Sequence, residues 1–167
     1  MPVKINHADR QTIRRRQRGD TMIEVLVTII VIAVGVLGAA ALQVTTLKNL
    51  SSSHSATVAA LVAEDMTERM RANPVGAANY VHSARPVNPP NCTSQGCTPA
   101  ELAAYDIGSW WNQMTALLPS ASGTVTNAGG TFTVTVRWDE DRSGSTGTNC
   151  PPESADDLEC YRFNVTM

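Results

Sequence analysis

The chain has 167 residues, 43% of them hydrophobic, with thirteen basic and fifteen acidic side chains and a formal net charge of −2. That length accommodates one membrane helix plus one small soluble domain and excludes two globular domains. The near-neutral total conceals an asymmetry. Six basic residues (Lys4, Arg10, Arg14, Arg15, Arg16 and Arg18) precede Gly19 against Asp9 alone, which leaves seven basic and fourteen acidic residues in the remainder.

Residues 14–42 read RRRQRGDTMIEVLVTIIVIAVGVLGAAAL, and from Val25 to Leu42 eighteen consecutive residues carry only Thr28 as a polar interruption. As a helix rising about 1.5 Å per residue, that run covers roughly 27 Å, close to the hydrocarbon thickness of a bilayer. The basic flank keeps the N-terminus cytoplasmic and sends the acidic body across the membrane. A nucleic-acid role for the arginine cluster is set aside because the apolar span follows it directly. Glu24 stands just inside the span, where a carboxylate is expensive unless something answers it.

Three readings of this segment are open from the residues. One is a single-pass anchor. Another is a secretory signal peptide, with Ala39-Ala40-Ala41 offering the small-residue pattern of a cleavage site. The third rests on Gly19-Asp20-Thr21-Met22-Ile23-Glu24-Val25-Leu26-Val27, which resembles the leader of type IV prepilins: a glycine, one variable residue, Thr, two apolar residues, Glu, then a long apolar run. The resemblance implies cleavage between Gly19 and Asp20, N-methylation of Asp20, and Glu24 at the fifth mature position. Pilins usually begin the mature chain with Phe; here Asp20 takes that place.

The chemistry so implied is electrostatic. Before the cut, the nitrogen of Asp20 is a neutral amide. Afterwards it is an α-amine, with an unperturbed pKa near 8, largely protonated at neutral pH. In pilins the Glu24 carboxylate of one subunit would pair with the freed terminus of its neighbour. Two lone charges in a dry core would each cost several kcal/mol, and pairing offsets much of that. The pair then acts as a register key. Within the span, Gly35 and Gly38 each cost about 1 kcal/mol against alanine in a helix interior, and suit either close helix packing or local unwinding. The position matching a pilin proline is Ala41.

Beyond Leu42 the pattern becomes amphipathic: Leu47, Leu50, Val58, Leu61, Val62, Met66 and Met70 recur at three- and four-residue steps. With no proline between Pro2 and Pro74, the pattern predicts one helix from near Thr21 to about Ala72, stopped by Asn73-Pro74. Residues 74–99, rich in Pro, Asn, Ser and Gly, read as an irregular connection. Thr98-Pro99-Ala100-Glu101 opens a helical stretch with Thr98 as N-cap. Leu102, Tyr105, Trp110, Met114, Leu117 and Leu118 give one or two short helices ending at Pro119.

Strict alternation follows. In Thr131–Trp138, Phe132, Val134, Val136 and Trp138 share one face; in Tyr161–Met167, Tyr161, Phe163, Val165 and Met167 do so. Gly123–Thr126 is a third strand, joined through Asn127-Ala128-Gly129-Gly130 as a hairpin. The class is α+β: a long N-terminal helix on a small antiparallel sheet, the pilin-like arrangement. The string CTPAELAAYD, then WW, LLP and TFTVTVRWDED, is also similar to PilV-type minor pilins.

All four cysteines lie on the exported side of the span, which favours disulfides. Three pairings are possible, and short local loops favour Cys92–Cys97 and Cys150–Cys160. Zinc spacing is absent from both pairs. Asp139-Glu140-Asp141-Arg142-Ser143-Gly144 resembles the opening of a calcium loop, but Cys150 stands at the twelfth position where a bidentate glutamate is needed. The segment reads as a solvated acidic loop, with no metal and no cofactor expected. His7, His54 and His82 are scattered, and Ser51-Ser52-Ser53 has no glycine elbow, so no active site is assembled.

The expected organisation is a leader over residues 1–19, a membrane and filament-core half-helix over 20–42, an amphipathic half-helix over 43–73 and a globular head over 74–167. The resemblance implies a minor pilin that helps initiate a type IV pilus and is incorporated into it. Its partners would be other minor and major pilins, a prepilin peptidase/methyltransferase, the inner-membrane assembly platform and the lipid bilayer. It would sit in the inner membrane with a periplasmic head and later in the extracellular pilus. A minor pseudopilin of type II secretion and a membrane-anchored periplasmic binding module are the alternatives.

Overall fold

The computed structural model describes residues 20–94 and 96–167, with side chains from Met22 onward. The leader and the side chain of Asp20 therefore lie outside the described residues. Helix α1 spans Asp20–Ala72 and runs unbroken through Gly35 and Gly38. The chain divides into two units between Thr46 and Leu47.

In the first unit every described side chain from Met22 onward is exposed, Glu24 included. This half of α1 is long and apolar enough to cross a membrane. Its hydroxyls are answered by the helix itself: Thr28 Oγ1 donates to Val25 O at 2.8 Å, Thr45 to Ala41 O at 3.2 Å and Thr46 to Leu42 O at 2.9 Å. Such back-bonding removes the cost of carrying a hydroxyl into hydrocarbon.

The second unit holds the core. Helix α1 ends where Asn73 precedes Pro74, because proline disfavours a helical residue before it. Asn73 Oδ1 then accepts from Gly76 N at 3.2 Å, capping a 3₁₀ helix over Pro74–Tyr80, while its Nδ2 donates to Pro99 O at 2.8 Å. Helix α2 is a single helix, Pro99–Leu117, where the sequence allowed one or two. It opens with a reciprocal capping box: Glu101 N donates to Thr98 Oγ1 at 3.3 Å and Thr98 N to Glu101 Oε2 at 2.8 Å.

Three strands follow, β1 (Ser122–Ala128), β2 (Thr131–Trp138) and β3 (Glu159–Thr166), in the antiparallel order β1-β2-β3. The β1–β2 register pairs Ala128 with Thr131, so the hairpin loop is Gly129-Gly130 alone, both at positive φ. Two consecutive left-handed residues match the twist of the flanking strands, which is why glycine occupies both. Strand β1 is thus longer than the four residues expected. Phe132, Val134, Val136 and Trp138 are all buried on the inner face. On β3, Val165 is buried and Tyr161 and Phe163 pack partly against the core, whereas Met167, just past its end, is 44% exposed rather than inward.

The face α1 turns to this core differs from the sequence reading. Val62, Met66 and Met70 are buried, but Leu47, Leu50 and Leu61 are 65%, 64% and 61% exposed. The buried stripe is completed by Ala59, Ala63 and Thr67. Small residues there let neighbouring elements approach the helix axis, which a leucine would prevent. Leu117 likewise points outward, and Leu118 takes its place in the core.

Trp110 is the largest fully buried side chain. Its indole Nε1 donates to Val62 O on α1 at 2.8 Å, giving a buried Trp the polar partner it needs. A Cβ on Gly123 of β1 would run into the six-membered ring of Trp110. Gly123→Ala should therefore overpack this contact and cost about 1–3 kcal/mol. Urea unfolding of the full chain in detergent, followed by tryptophan fluorescence, checks this; an unchanged midpoint would show that the ring can move aside.

Candidate functional site

The leader motif and the head hold the candidate residues, and the two are described separately. In the first unit, Asp20 opens α1 and Glu24 lies one turn further, exposed at the start of the apolar run. Gly19 lies outside the described residues. Glu24 is the only charged side chain between Thr21 and Thr46, so any buried environment for this helix must answer that one carboxylate.

In the head, the structure joins Cys92 to Cys97 and Cys150 to Cys160. The first bridge closes the chain just ahead of the α2 cap. The second ties the start of β3 to the segment after β2, and two arginines fasten the same segment: Arg137 Nε donates to Thr148 O at 3.0 Å and Arg162 to Cys150 O at 2.7 Å.

Most of that segment is exposed, Asp141, Glu153 and Asp156 included, as expected of a solvated acidic loop, but two of its aspartates order it from within. Asp139 is only 4% exposed. Its two carboxylate oxygens accept from Ser143 N at 3.1 Å and Gly144 N at 2.8 Å. The Gly144 amide, helped by the Ser143 groups and opposed by burial, holds this carboxyl below its ordinary range. Asp157 accepts from Glu153 N and Ser154 N, both at 3.0 Å, and from Asn149 Nδ2 at 3.2 Å. Leu158 N donates to Gly147 O at 3.0 Å, closing the turn. The D-x-D-x-S-G string thus spends its first aspartate on its own backbone. Among the described residues, no group of three His, Cys, Asp or Glu is placed to hold a metal.

A cleft of about 420 Å³ lies between Lys48–Ser52 and this segment, with Trp138, Glu140, Asp141 and Glu159 on its walls. Glu140 is engaged by Trp138 Nε1 at 2.7 Å. On the other side of the head, Arg69 bonds Asp65 at 2.8 Å and Asp106 at 3.3 Å, and Tyr80 donates its hydroxyl to Asp106. Burial, then that bond to Asp106, hold the Tyr80 phenol well above its ordinary value. This network pins α1, the 3₁₀ helix and α2 together. Sequence reasoning missed it because its members stand far apart along the chain.

Comparison with known families places these features. Residues 14–40 match the prokaryotic N-terminal methylation motif, and residues 41–108 match the type IV pilin Tt1218 family. The chain belongs to the type IV pilin precursors. No curated protein and no solved structure matches it. The pilin family is structural rather than catalytic, and the apolar helix with its motif marks a membrane-anchored pilin. Other pilins and a prepilin peptidase are the partners that this family and motif bring.

Asp157 gives this pilin a pH signature. The backbone amide of Glu153, with smaller help from Asn149 and Ser154, lowers its carboxyl from 3.8 to about 2. A depressed folded-state pKa contributes stability that is complete above the unfolded value and lost as pH falls through the folded one. The melting temperature of the head should therefore fall between about pH 4 and pH 2. Asp157→Asn should melt lower at neutral pH and show less of that acid-dependent fall. Circular dichroism melts at both ends of the window decide it; parallel pH profiles for the two proteins would contradict the assignment.

Proposed function

We propose that this pilin is a minor subunit of the PilV type, which helps initiate a type IV pilus and is then incorporated into it. The observation that carries the reading is the methylation-motif match over residues 14–40, with Glu24 five residues after Gly19 at the head of an exposed apolar half-helix. Cleavage between Gly19 and Asp20 frees a cationic α-amine, and the Glu24 carboxylate of an adjoining subunit pairs with it. Removing the basic leader also releases the anchor that held the helix on the cytoplasmic side. The head then faces the periplasm, the inner-membrane platform extracts the helix, and the subunit joins other minor and major pilins. Its role is assembly, not catalysis. Asp20 is the residue that a prepilin methyltransferase would modify, and its own carboxylate competes with Glu24 for the same cation.

Two substitutions separate processing from assembly. Glu24→Ala should be cleaved and inserted normally but enter sheared filaments at a level lower by on the order of tenfold or more. Removing one partner of a buried ion pair costs about 3–5 kcal/mol, and each 1.4 kcal/mol is a factor of ten. Gly19→Ala should instead leave the leader attached, read as a slower-migrating band in membranes. Filament incorporation of Glu24→Ala at the normal level would overturn the pairing.

A further inference from the structure

Strand β1 has two edges. One pairs with β2 along its whole length. Among the described residues the other pairs with a single one: His82 N donates to Val125 O and Val125 N to His82 O, both at 3.0 Å. His82 therefore closes an edge that otherwise presents unpaired backbone groups.

Its ring sits in a restrictive place. Nδ1 lies 2.7 Å from Tyr80 O. A carbonyl only accepts, so Nδ1 carries the hydrogen and the bare nitrogen of the neutral ring is Nε2. That Nε2 is buried and has no hydrogen-bond partner among the described residues. The ring also meets Trp110 at 5.7 Å between centroids and 84° between planes, and Trp110 is the indole bonded to Val62 of α1. One neutral imidazole thus touches the contact that holds β1, α2 and α1 together.

The charged groups of the surrounding elements are engaged or face solvent. On α1, Arg69 is taken by Asp65 and Asp106, Glu68 by Arg71, and Glu64 is exposed. On α2, Asp106 is taken by Tyr80 and Arg69, and Glu101 by Thr98; Tyr105 completes the titratable set of that helix. The 3₁₀ helix contributes only Tyr80 and β1 contributes none. Arg85, on the chain just after His82, bonds Asn112. The buried and half-buried carboxylates of these elements, Asp65 and Asp106, are thus already engaged, and none is bonded to Nε2.

We propose that His82 is an acid-released latch: protonation of its ring frees the segment after Tyr80 from Val125 and opens the outer edge of β1. Burial lowers the affinity of this ring for a proton, opposed in part by the Tyr80 carbonyl. The closed state is then favoured above the ordinary histidine value of 6.5 and weakens as pH falls below it. The consequence is local. The β2–β3 pairing and both disulfides do not involve His82, so the sheet persists while one edge becomes available.

The test uses the full chain in detergent micelles. Proton NMR of the imidazole should give a titration midpoint below 6.5. Hydrogen-exchange protection of the His82 and Val125 amides should fall by up to about tenfold per pH unit between 6.5 and that midpoint and level off below it, as coupling to one proton requires. In His82→Gln, which keeps the backbone bridge without a titrating ring, that protection should not vary with pH over the same range. A midpoint at or above 6.5, or matching protection profiles in the two proteins, would overturn the latch. Should the variant fail to fold, the wild-type midpoint and protection profile decide the matter alone.

Discussion

One helix has to satisfy two surroundings. The first half of α1 exposes every described side chain, most of them apolar, with a single carboxylate among them, whereas Ala59, Val62, Ala63, Met66, Thr67 and Met70 of the same helix lie in a packed core. An apolar surface of that extent does not remain in water. A bilayer covers it first, and the proposed filament would cover it later. Both environments demand internally satisfied polar groups, which Thr28, Thr45 and Thr46 achieve through their own carbonyls. Glu24 cannot be satisfied that way. In the proposed function its partner is the freed terminus of another chain, and that pairing links proteolysis to assembly.

The head is built to hold the helix firmly. Trp110 reaches from α2 to a carbonyl of α1, Gly123 makes room for its ring, and His82 closes β1 against its edge. Asn73 and the Arg69–Asp106–Tyr80 network fix the end of α1 to the 3₁₀ helix and α2. The segment between β2 and β3 has little regular structure, yet two aspartates, two arginines and one disulfide order it. Replacing helix or strand hydrogen bonds with carboxylate–amide bonds satisfies the backbone of an irregular loop, and bonds to an ionised acceptor are the stronger kind.

Much of this was legible in the sequence. Period-two alternation marked β2 and most of β3, Thr98-Pro99-Ala100-Glu101 marked the start of α2, and Asn73-Pro74 marked the end of α1. The core face of α1 was not legible, because alanine and threonine line it and leucines point outward. A pattern weighted by hydrophobicity follows the leucines; packing follows the small residues that permit close approach. The roles of Asp139 and Asp157 were hidden for a related reason: an aspartate that binds backbone amides looks, in sequence, like one that faces solvent. The leader glycine, Asp20 and Glu24 were legible as a motif, since their spacing is local and needs no tertiary contact.

The central claim is that cleavage after Gly19 manufactures the cation that Glu24 requires. N-terminal mass spectrometry of the protein recovered from membranes and from sheared filaments tests it most directly. The account predicts a mature chain that begins at Asp20 and keeps its apolar helix. A chain beginning at Leu42, or one still carrying Met1 or Pro2 in assembled filaments, would contradict it.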